Sequence, residues 1–459
     1  MGLPWLPNSD GRVTREMLEA VGVSDVSELF SDIPNEVRLK RPLKVGAGRP
    51  LSEAEVYRLL SSKADRVSSC LEMLCFAAGL APHYVPAVVL EIVGRSEFYT
   101  SYTPYQAEVS QGMLQALFEY QSLMADLLEM DVVNASMYDG STALAEAFLM
   151  AARVTRRRKI LVPEFANPCY LKVAETIVKA QGLELVTVEN EADSGLLDIG
   201  DLKRKLDDDA AAVYVEVPYF YGPIEEQVDE ISSLCHSRGA LLVAGVDPLS
   251  LGLIRPPGDY GADIAVGEGQ PLGLGLNYGG PLLGFFGVRE ERRLVRQLPG
   301  RLIGMTTSMR GERGFAMILQ TREQHIRRER ATSNICTNQA LCALAAAVYL
   351  SLLGPSGLRE LSRTIAVRAR YAASRINRIE GFIAPAVGRY FFKSFAVRSE
   401  LLPAEEVRRK LLAKDILVGP VVTRLPKLGE SFMVAVTEMH SRADIDRLVE
   451  ALEEVVGDV

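Results

Sequence analysis

The stretch ALLVAGVD, residues 240–247, decides the fold class of this chain of 459 residues. Seven successive residues without a polar side chain suit a strand that is buried on both faces of a parallel sheet. Asp247 follows directly, at the carboxyl end of that strand, where open α/β sheets place their ligands. The sequence therefore predicts a buried central strand with a carboxylate at its functional end.

Similar apolar stretches lie on both sides of this strand, and segments with helical periodicity separate them. The predicted strands are residues 159–163, 183–189, 211–217, 262–266 and 282–288, and the predicted helices are 111–130, 142–154, 168–182, 197–206 and 225–238. Strands that alternate with helices of this length indicate a mostly parallel sheet covered on both faces. We predict an α/β core from about residue 110 to residue 290.

The flanking segments predict two further parts. Residues 1–90 read as an N-terminal helical arm and entry segment, and 91–345 form the large domain. The Arg-rich segment from 290 to 330 is expected to be helical, and Gly354-Pro355 is expected to break a buried helix. Residues 346–459 then read as a smaller α+β C-terminal domain, with strands near 391–398 and 431–437 and a closing helix over 443–456.

Composition excludes several classes of protein. The 51 basic and 59 acidic side chains give a charge of −8, and 48% of the residues are hydrophobic, which is typical of a globular protein. An acidic balance argues against a nucleic-acid-binding protein. No stretch reaches the roughly 18 apolar residues of a membrane span. Because no secretory signal is read either, a cytoplasmic protein is expected. The six cysteines and four histidines show no metal-binding spacing, so no metal site is expected.

The start of the helix predicted after residue 141 could bind an anion. Asp139-Gly140-Ser141-Thr142 places small and hydroxyl residues where the first turn of a helix has free N–H groups and a positive dipole end. The same residues also suit a simple N-cap. Both interpretations remain open at this point.

Asp247, Ser141 and Thr142 together are typical of enzymes that use pyridoxal phosphate. There a carboxylate pairs with the pyridinium nitrogen, a helix start holds the phosphate, and a lysine anchors the ring. That lysine is missing here, because the glycine-rich window GEGQPLG, residues 267–273, contains none. The next lysine after Asp247 is Lys393, which lies in the predicted small domain and is expected to be too far along the chain.

A second candidate site is the segment FYTSYTPYQ, residues 98–106. Its prolines remove backbone donors and prevent a long helix, so a loop is predicted. Such a loop could pack on the core, or its rings and hydroxyls could serve a site or an interface.

The chain resembles the P-protein (glycine decarboxylase) family of the glycine cleavage system, and within it subunit 1 of the two-subunit form. The stretches that carry the resemblance are FYTSYTPYQAEVSQG (98–112), NASMYDGSTA (134–143), GEGQPLG (267–273), NYGGP (277–281) and ATSNICTNQAL (331–341). The resemblance extends over almost the whole chain. It implies a type I pyridoxal-phosphate fold, like that of aspartate aminotransferase, and an oxidoreductase activity, glycine dehydrogenase (decarboxylating).

The same resemblance implies how the work is divided. Pyridoxal 5'-phosphate is expected on a homologous second subunit, with two copies of each subunit, and Gln270 stands about where that subunit's lysine aligns. The substrate is glycine, which loses CO2, and its aminomethyl group passes to the lipoyl arm of H-protein. Tyr102, Thr103 and Tyr105 are expected to complete the partner's pocket. Ser141, Thr142 and Asp247 mark the ancestral cofactor site, in use or vestigial.

His325 and the neighbouring arginines Arg327, Arg328 and Arg330 could receive the acidic surface of the H-protein, or form salt bridges within the chain. Two other functions remain open. One is an independent homodimeric pyridoxal-phosphate enzyme, which the missing lysine disfavours. The other is a non-catalytic scaffold or regulatory subunit with the same fold.

Overall fold

The strand that ends before Asp247 lies within a seven-stranded sheet. The computed structural model describes residues 10–41, 43–46, 48–67, 72–335 and 337–457. Its strands are β1 Leu74–Cys75, β2 Val132–Val133, β3 Lys159–Pro163, β4 Glu184–Val188, β5 Ala210–Val217, β6 Leu241–Val246, β7 Ile264–Glu268, β8 Gly284–Val288, β9 Ile303–Thr307, β10 Arg313–Met317, β11 Phe382–Ile383, β12 Ser394–Ser399, β13 Ile416–Leu417, β14 Val421–Val422 and β15 Ser431–Ala435.

Helices separate and cover these strands. They are α1 Gly11–Val21, α2 Glu53–Ala64, α3 Ala87–Val93, α4 Ser96–Tyr99, α5 Gln111–Leu128, α6 Gly140–Thr155, α7 Pro168–Lys179, α8 Ile199–Lys205, α9 Val228–Ser237, α10 Arg292–Val295, α11 Gln324–Arg327, α12 Ala340–Ile376, α13 Ala404–Leu412 and α14 Arg442–Gly457.

The order of the central sheet is β2-β8-β7-β6-β5-β3-β4. Strands β7, β6, β5, β3 and β4 pair in parallel, whereas β8 runs antiparallel to both of its neighbours. Every residue of β6 is buried, as its uninterrupted apolar sequence requires when helices cover both faces. The prediction of a mostly parallel α/β core is confirmed, and parallel pairing brings the carboxyl ends of β5, β6 and β7 together at one edge.

The prediction of a helical segment from 290 to 330 is wrong over most of its length. Helix α10 ends at Val295, and β9 and β10 then form an antiparallel hairpin. Two glutamines of α5 hold this hairpin through paired amide contacts. The Gln111 amide donates to Phe315 O at 2.9 Å and accepts from Phe315 N at 2.8 Å, and the Gln121 amide bonds Ile303 in the same way. Tertiary packing on α5 thus outweighs local helix propensity.

The break predicted at Gly354-Pro355 is a kink inside α12, where Gly354 has φ 60° and ψ 179°. By length and composition α12 is apolar enough to cross a membrane, and half of its most apolar window is buried inside the protein. It packs against α3, α5 and α14. A core helix of a globular protein passes the same test of apolarity, so this helix is weak evidence for a membrane span.

A second, four-stranded antiparallel sheet of order β11-β12-β15-β14 follows α12, with α13 and α14 packed on its core. Strand β1 pairs in parallel with β13. Residue contacts divide the chain into two units, residues 1–68 and 69–459. The domain boundaries predicted at residues 90 and 345 stay predictions.

The first unit contains α1 and α2. Asp10 caps α1 by accepting from Arg12 N and Val13 N, and Gly22 ends it with φ 83°, a left-handed conformation that glycine adopts without strain. Ser52 and Glu55 form a capping box at the start of α2. Several large apolar side chains of this unit are exposed, among them Val37, Leu43, Val45 and Tyr57.

Candidate functional site

A small cavity lies where the parallel strands end. Its volume is about 110 Å³, and its walls come from the segments after β5, β6 and β7, from the start of α6 and from the residues before β12. Asp247, Gln270 and Lys393 all line it. The carboxyl ends of parallel strands converge here, as the position of Asp247 predicts.

Lys393 forms an ion pair with Asp247, the carboxylate that the sequence predicts to contact the ring nitrogen of a cofactor. Its Nζ lies 2.6 Å from Asp247 Oδ2, and the side chains of Lys393 and Asp247 are only 11% and 18% exposed. Asp247 Oδ1 accepts from Leu249 N at 3.0 Å. The expectation that Lys393 is too far along the chain is therefore wrong as a statement about space. The segment that leads into β12 returns to the strand ends and brings this amine into the cavity.

A buried imidazole and a second carboxylate hold Lys393 in place. Lys393 Nζ lies 3.3 Å from His83 Nε2, and His83 Nδ1 lies 2.9 Å from Glu438 Oε2. Burial, and after it the Lys393 ammonium, lower the pKa of His83. A neutral His83 therefore accepts from Lys393 and donates to Glu438. Although burial alone raises the pKa of Glu438, its contact with His83 lowers it. From Glu438 to Asp247 the chain of contacts therefore runs from a carboxylate through a neutral imidazole and an ammonium to a second carboxylate.

Carboxyl groups accept hydrogen bonds from the first N–H groups of α6, which have no partner within the helix. Ser141 N and Thr142 N donate to Asp139 Oδ1 at 2.8 and 3.0 Å, and Thr142 Oγ1 donates back to Asp139 O at 3.1 Å. Gly140 N donates to Glu268 Oε2 at 3.0 Å. This is a capping box with an additional carboxylate from the end of β7.

The carboxyl group of Glu268 accepts from three backbone N–H groups, and burial raises its pKa. Besides Gly140 N, it accepts from Gln270 N at 2.9 Å and from Leu283 N at 3.0 Å through Oε1. The Gln270 amide faces away from these groups and donates to Leu274 O at 2.8 Å. Glu216, on β5, also lines the cavity, and burial raises its pKa to about 8.

The cavity residues do not fit pyridoxal phosphate. The carboxylate for the ring nitrogen is paired with an ammonium, the N–H groups for the phosphate are bonded to carboxyl groups, and Gln270 offers no amine. The volume of about 110 Å³ is also below the roughly 300–1,000 Å³ of ordinary ligand pockets. Asp247 lines this cavity and Ser141 and Thr142 do not, although Gly140 at the same helix start does, and each of the three predicted residues already has a partner from this chain.

The aromatic loop, residues 98–106, lies elsewhere, and none of its residues lines this cavity. The Tyr102 side chain is 76% exposed, and its hydroxyl donates to Thr337 Oγ1 at 3.3 Å. Tyr105 is half exposed, and its hydroxyl accepts from Arg301 Nη2 at 2.8 Å. Within the described residues, Thr103 Oγ1 is buried without a hydrogen-bond partner.

The buried guanidinium of Arg301 contacts the aromatic loop at Tyr105. Arg301 is 2% exposed, its guanidinium carbon lies 5.0 Å from the centre of the Tyr105 ring, and it forms an ion pair with the buried Glu323. Glu323 Oε2 also lies 3.4 Å from His325 Nδ1. His325 stands edge-on to the Tyr105 ring, with 6.4 Å between the ring centres. These contacts join the aromatic loop to the segment before residues 333–337, which we call the SNICT motif.

Sequence reasoning missed Arg301, Glu323, Glu268 and the role of Lys393. Each depends on a contact between residues far apart in the chain, for example the 196 residues that separate Tyr105 from Arg301. Glu268 had a local signal, because it ends a strand and lies inside the window in which a lysine was sought. Within the described residues, no group of three or more His, Cys, Asp or Glu could hold a metal ion.

Comparison with known proteins places this geometry in a family. Residues 5–452 match the family model described as Glycine cleavage system P-protein. Proteins named probable glycine dehydrogenase (decarboxylating) subunit 1 are 49% identical in Staphylothermus marinus and 50% identical in Aeropyrum pernix, each over 99% of both chains. A crystal structure of glycine decarboxylase (P-protein) of the glycine cleavage system, in inhibitor-bound form, is 40% identical with a TM-score of 0.88 over 99% of this chain and 100% of that one.

A more distant structure shares the fold alone. The cysteine desulfurase from Thermococcus onnurineus NA1 is 18% identical, with a TM-score of 0.61 over 85% of this chain and 96% of that one. The predicted type I pyridoxal-phosphate fold is confirmed.

Proposed function

Since the chain belongs to the P-protein family of the glycine cleavage system and is a glycine decarboxylase subunit, we propose that it completes the active site of a homologous second subunit. Its relatives carry the name subunit 1, which implies such a partner, and their activity is of the oxidoreductase class. The partner holds pyridoxal phosphate on its own lysine. Two copies of each subunit form the working enzyme in the cytoplasm.

The observation that carries this proposal is that the aromatic loop exposes two tyrosines, one of which is held by a buried arginine. Tyr102 is largely exposed, and Tyr105 is fixed by a buried guanidinium that both donates to its hydroxyl and lies over its ring. Preorganised hydroxyls and rings of this kind position substrates in active sites.

The surroundings of the loop support contact with another chain. Large apolar side chains are exposed on the loop, in the turn that follows it and on the β9–β10 hairpin: Tyr99, Tyr102, Val109, Met305 and Met309. Clusters of exposed apolar side chains of this kind mark interaction surfaces. We assign this surface to the second subunit.

In the shared site the chemistry and the positioning come from different chains. Pyridoxal phosphate, when bound by the partner, supplies the electron sink for the loss of CO2 from glycine. This chain contributes the Tyr102 and Tyr105 hydroxyls and the Thr103 side chain. They orient the reacting groups and exclude water from the pocket, where a low dielectric strengthens every polar contact.

The aminomethyl group then passes to the lipoyl arm of H-protein, which docks near the SNICT motif. Arg327, Arg328 and Arg330 are exposed there, and the nearest ion pair, between Arg330 and Glu329, is 3.7 Å long and itself exposed. Arg328 also borders a cavity of about 850 Å³ together with Arg156 and Arg158. A cationic surface of this extent would speed association with an acidic carrier protein.

The test is made on the assembled enzyme. Tyr102→Phe and Tyr105→Phe should each lower the rate of glycine–bicarbonate exchange at least several-fold while the two subunits still co-elute. Tyr390→Phe is the matched control, because Tyr390 is also a partly exposed tyrosine but lies outside the aromatic loop, shortly before β12. If both loop variants keep the wild-type rate, the loop is not part of the site, and this chain serves the complex as a non-catalytic scaffold.

A further inference from the structure

We infer, resting on the proposed placement of the cofactor on the partner, that this chain actively excludes pyridoxal phosphate from its own cavity by filling it with its own charged groups. The lack of a lysine at position 270 is thus one of three barriers. An ammonium stands at the ring-nitrogen end, and carboxyl groups stand at the phosphate end. Restoring the lysine alone therefore leaves the cavity closed.

The phosphate end is filled by the carboxyl groups of Glu268 and Asp139. A phosphate at a helix start needs free N–H donors and the positive end of the dipole. On α6 the N–H groups of residues 140, 141 and 142 all donate to these carboxyl groups. Glu268 takes two further N–H donors from Gln270 and Leu283. An incoming phosphate would have to displace both carboxyl groups from these N–H donors.

The ring end is filled by a cation. Asp247 can keep a pyridinium protonated only if its carboxylate is available to that nitrogen. Here the Lys393 ammonium lies 2.6 Å from it and is held from behind by His83 and Glu438. Lys393 thus takes the place of the cationic ring, and its removal would leave a mostly buried Asp247 without its counter-ion.

The experiment uses the full chain, purified without its partner and titrated with pyridoxal phosphate. Borohydride reduction then fixes any imine, and peptide mass spectrometry reports the labelled fraction at position 270. We expect Gln270→Lys to show no label above wild type. Gln270→Lys combined with Glu268→Gln and Lys393→Met should show a labelled fraction at least ten-fold higher than Gln270→Lys alone. Stoichiometric labelling of Gln270→Lys alone would overturn the inference, and so would a folded triple variant that takes no label.

A second measurement does not depend on the triple variant being folded. Lys393→Met should lower the urea midpoint of unfolding, and adding Asp247→Asn should recover at least half of that loss, because the buried charge is then removed. An unchanged midpoint in Lys393→Met would refute the role of Lys393 as the occupant. These outcomes are separate from the exchange rates of the Tyr102 and Tyr105 variants, which test the shared site.

Discussion

Replacing Arg301 by Gln should destabilise the chain and loosen the aromatic loop at the same time. The Arg301 and Glu323 side chains are 2% and 6% exposed and form an ion pair, and Arg301 Nη2 donates to Tyr105 Oη at 2.8 Å. Removing one partner of a buried ion pair leaves an uncompensated charge, which costs about 3–5 kcal/mol. We expect a loss at the lower end of this range, about 3 kcal/mol.

The measurement is urea unfolding of the purified chain, followed by circular dichroism. The matched control is the double variant Arg301→Gln, Glu323→Gln, in which no charge is left unpaired, and it should recover at least half of the lost stability. Tyr105→Phe removes only the hydroxyl of a half-exposed ring and should cost about 1 kcal/mol or less. Wild-type stability in Arg301→Gln would refute the ion pair.

The same variants separate stability from function. In the assembled enzyme below its unfolding transition, the double variant should regain stability but not exchange activity, because Tyr105 still lacks its guanidinium. If the exchange rate instead recovers together with stability, Arg301 is only a structural residue. A lower kcat with an unchanged KM for glycine in the double variant would fit a role in positioning the loop.

Three further predictions follow from other parts of the chain. Burial raises the pKa of Glu216 from 4.5 to about 8, so the folded state holds a proton that the unfolded state releases. The free energy of unfolding should therefore fall as the pH rises from about 4.5 to 8, by at most about 1.4 kcal/mol per pH unit. Glu216→Gln should flatten this slope in urea titrations at several pH values. A slope that is unchanged in Glu216→Gln would contradict that assignment. Arg327→Glu with Arg330→Glu should weaken the salt-dependent step with H-protein, seen as a higher KM for the carrier, while exchange with free lipoate stays at the wild-type rate; an unchanged KM would place the docking surface elsewhere. Deleting residues 1–60, with their exposed apolar side chains, should reduce co-purification with the second subunit, and full co-purification of the shortened chain would exclude the arm from assembly.

The fold could be predicted because its signals are local. The predicted strand 159–163 has the observed bounds of β3, and β5 and β6 begin within one residue of the prediction. Such strands are buried on both faces, so their composition alone marks them. The β9–β10 hairpin lacked this signal, because its residues are partly exposed and its position depends on the side chains of Gln111 and Gln121.

The site could be predicted only in part. Asp247 and the α6 start were found because strand ends and helix starts have sequence signatures. Lys393 was placed wrongly, since separation along the chain was used as a measure of distance in space, and 146 residues separate it from an aspartate that it contacts. Arg301 had no signature at all, because a buried arginine can be recognised only from the two groups that it joins.

The three N–H donors on Glu268 have a consequence for biosynthesis. Many enzymes that depend on vitamins reach full stability only when the vitamin derivative arrives, since bound ligands stabilise the folded state. Here a side chain of the same polypeptide occupies those donors from the moment of folding. The yield of folded chain should therefore be independent of the vitamin B6 supply in the growth medium. A culture without vitamin B6 should still accumulate this subunit in its folded form.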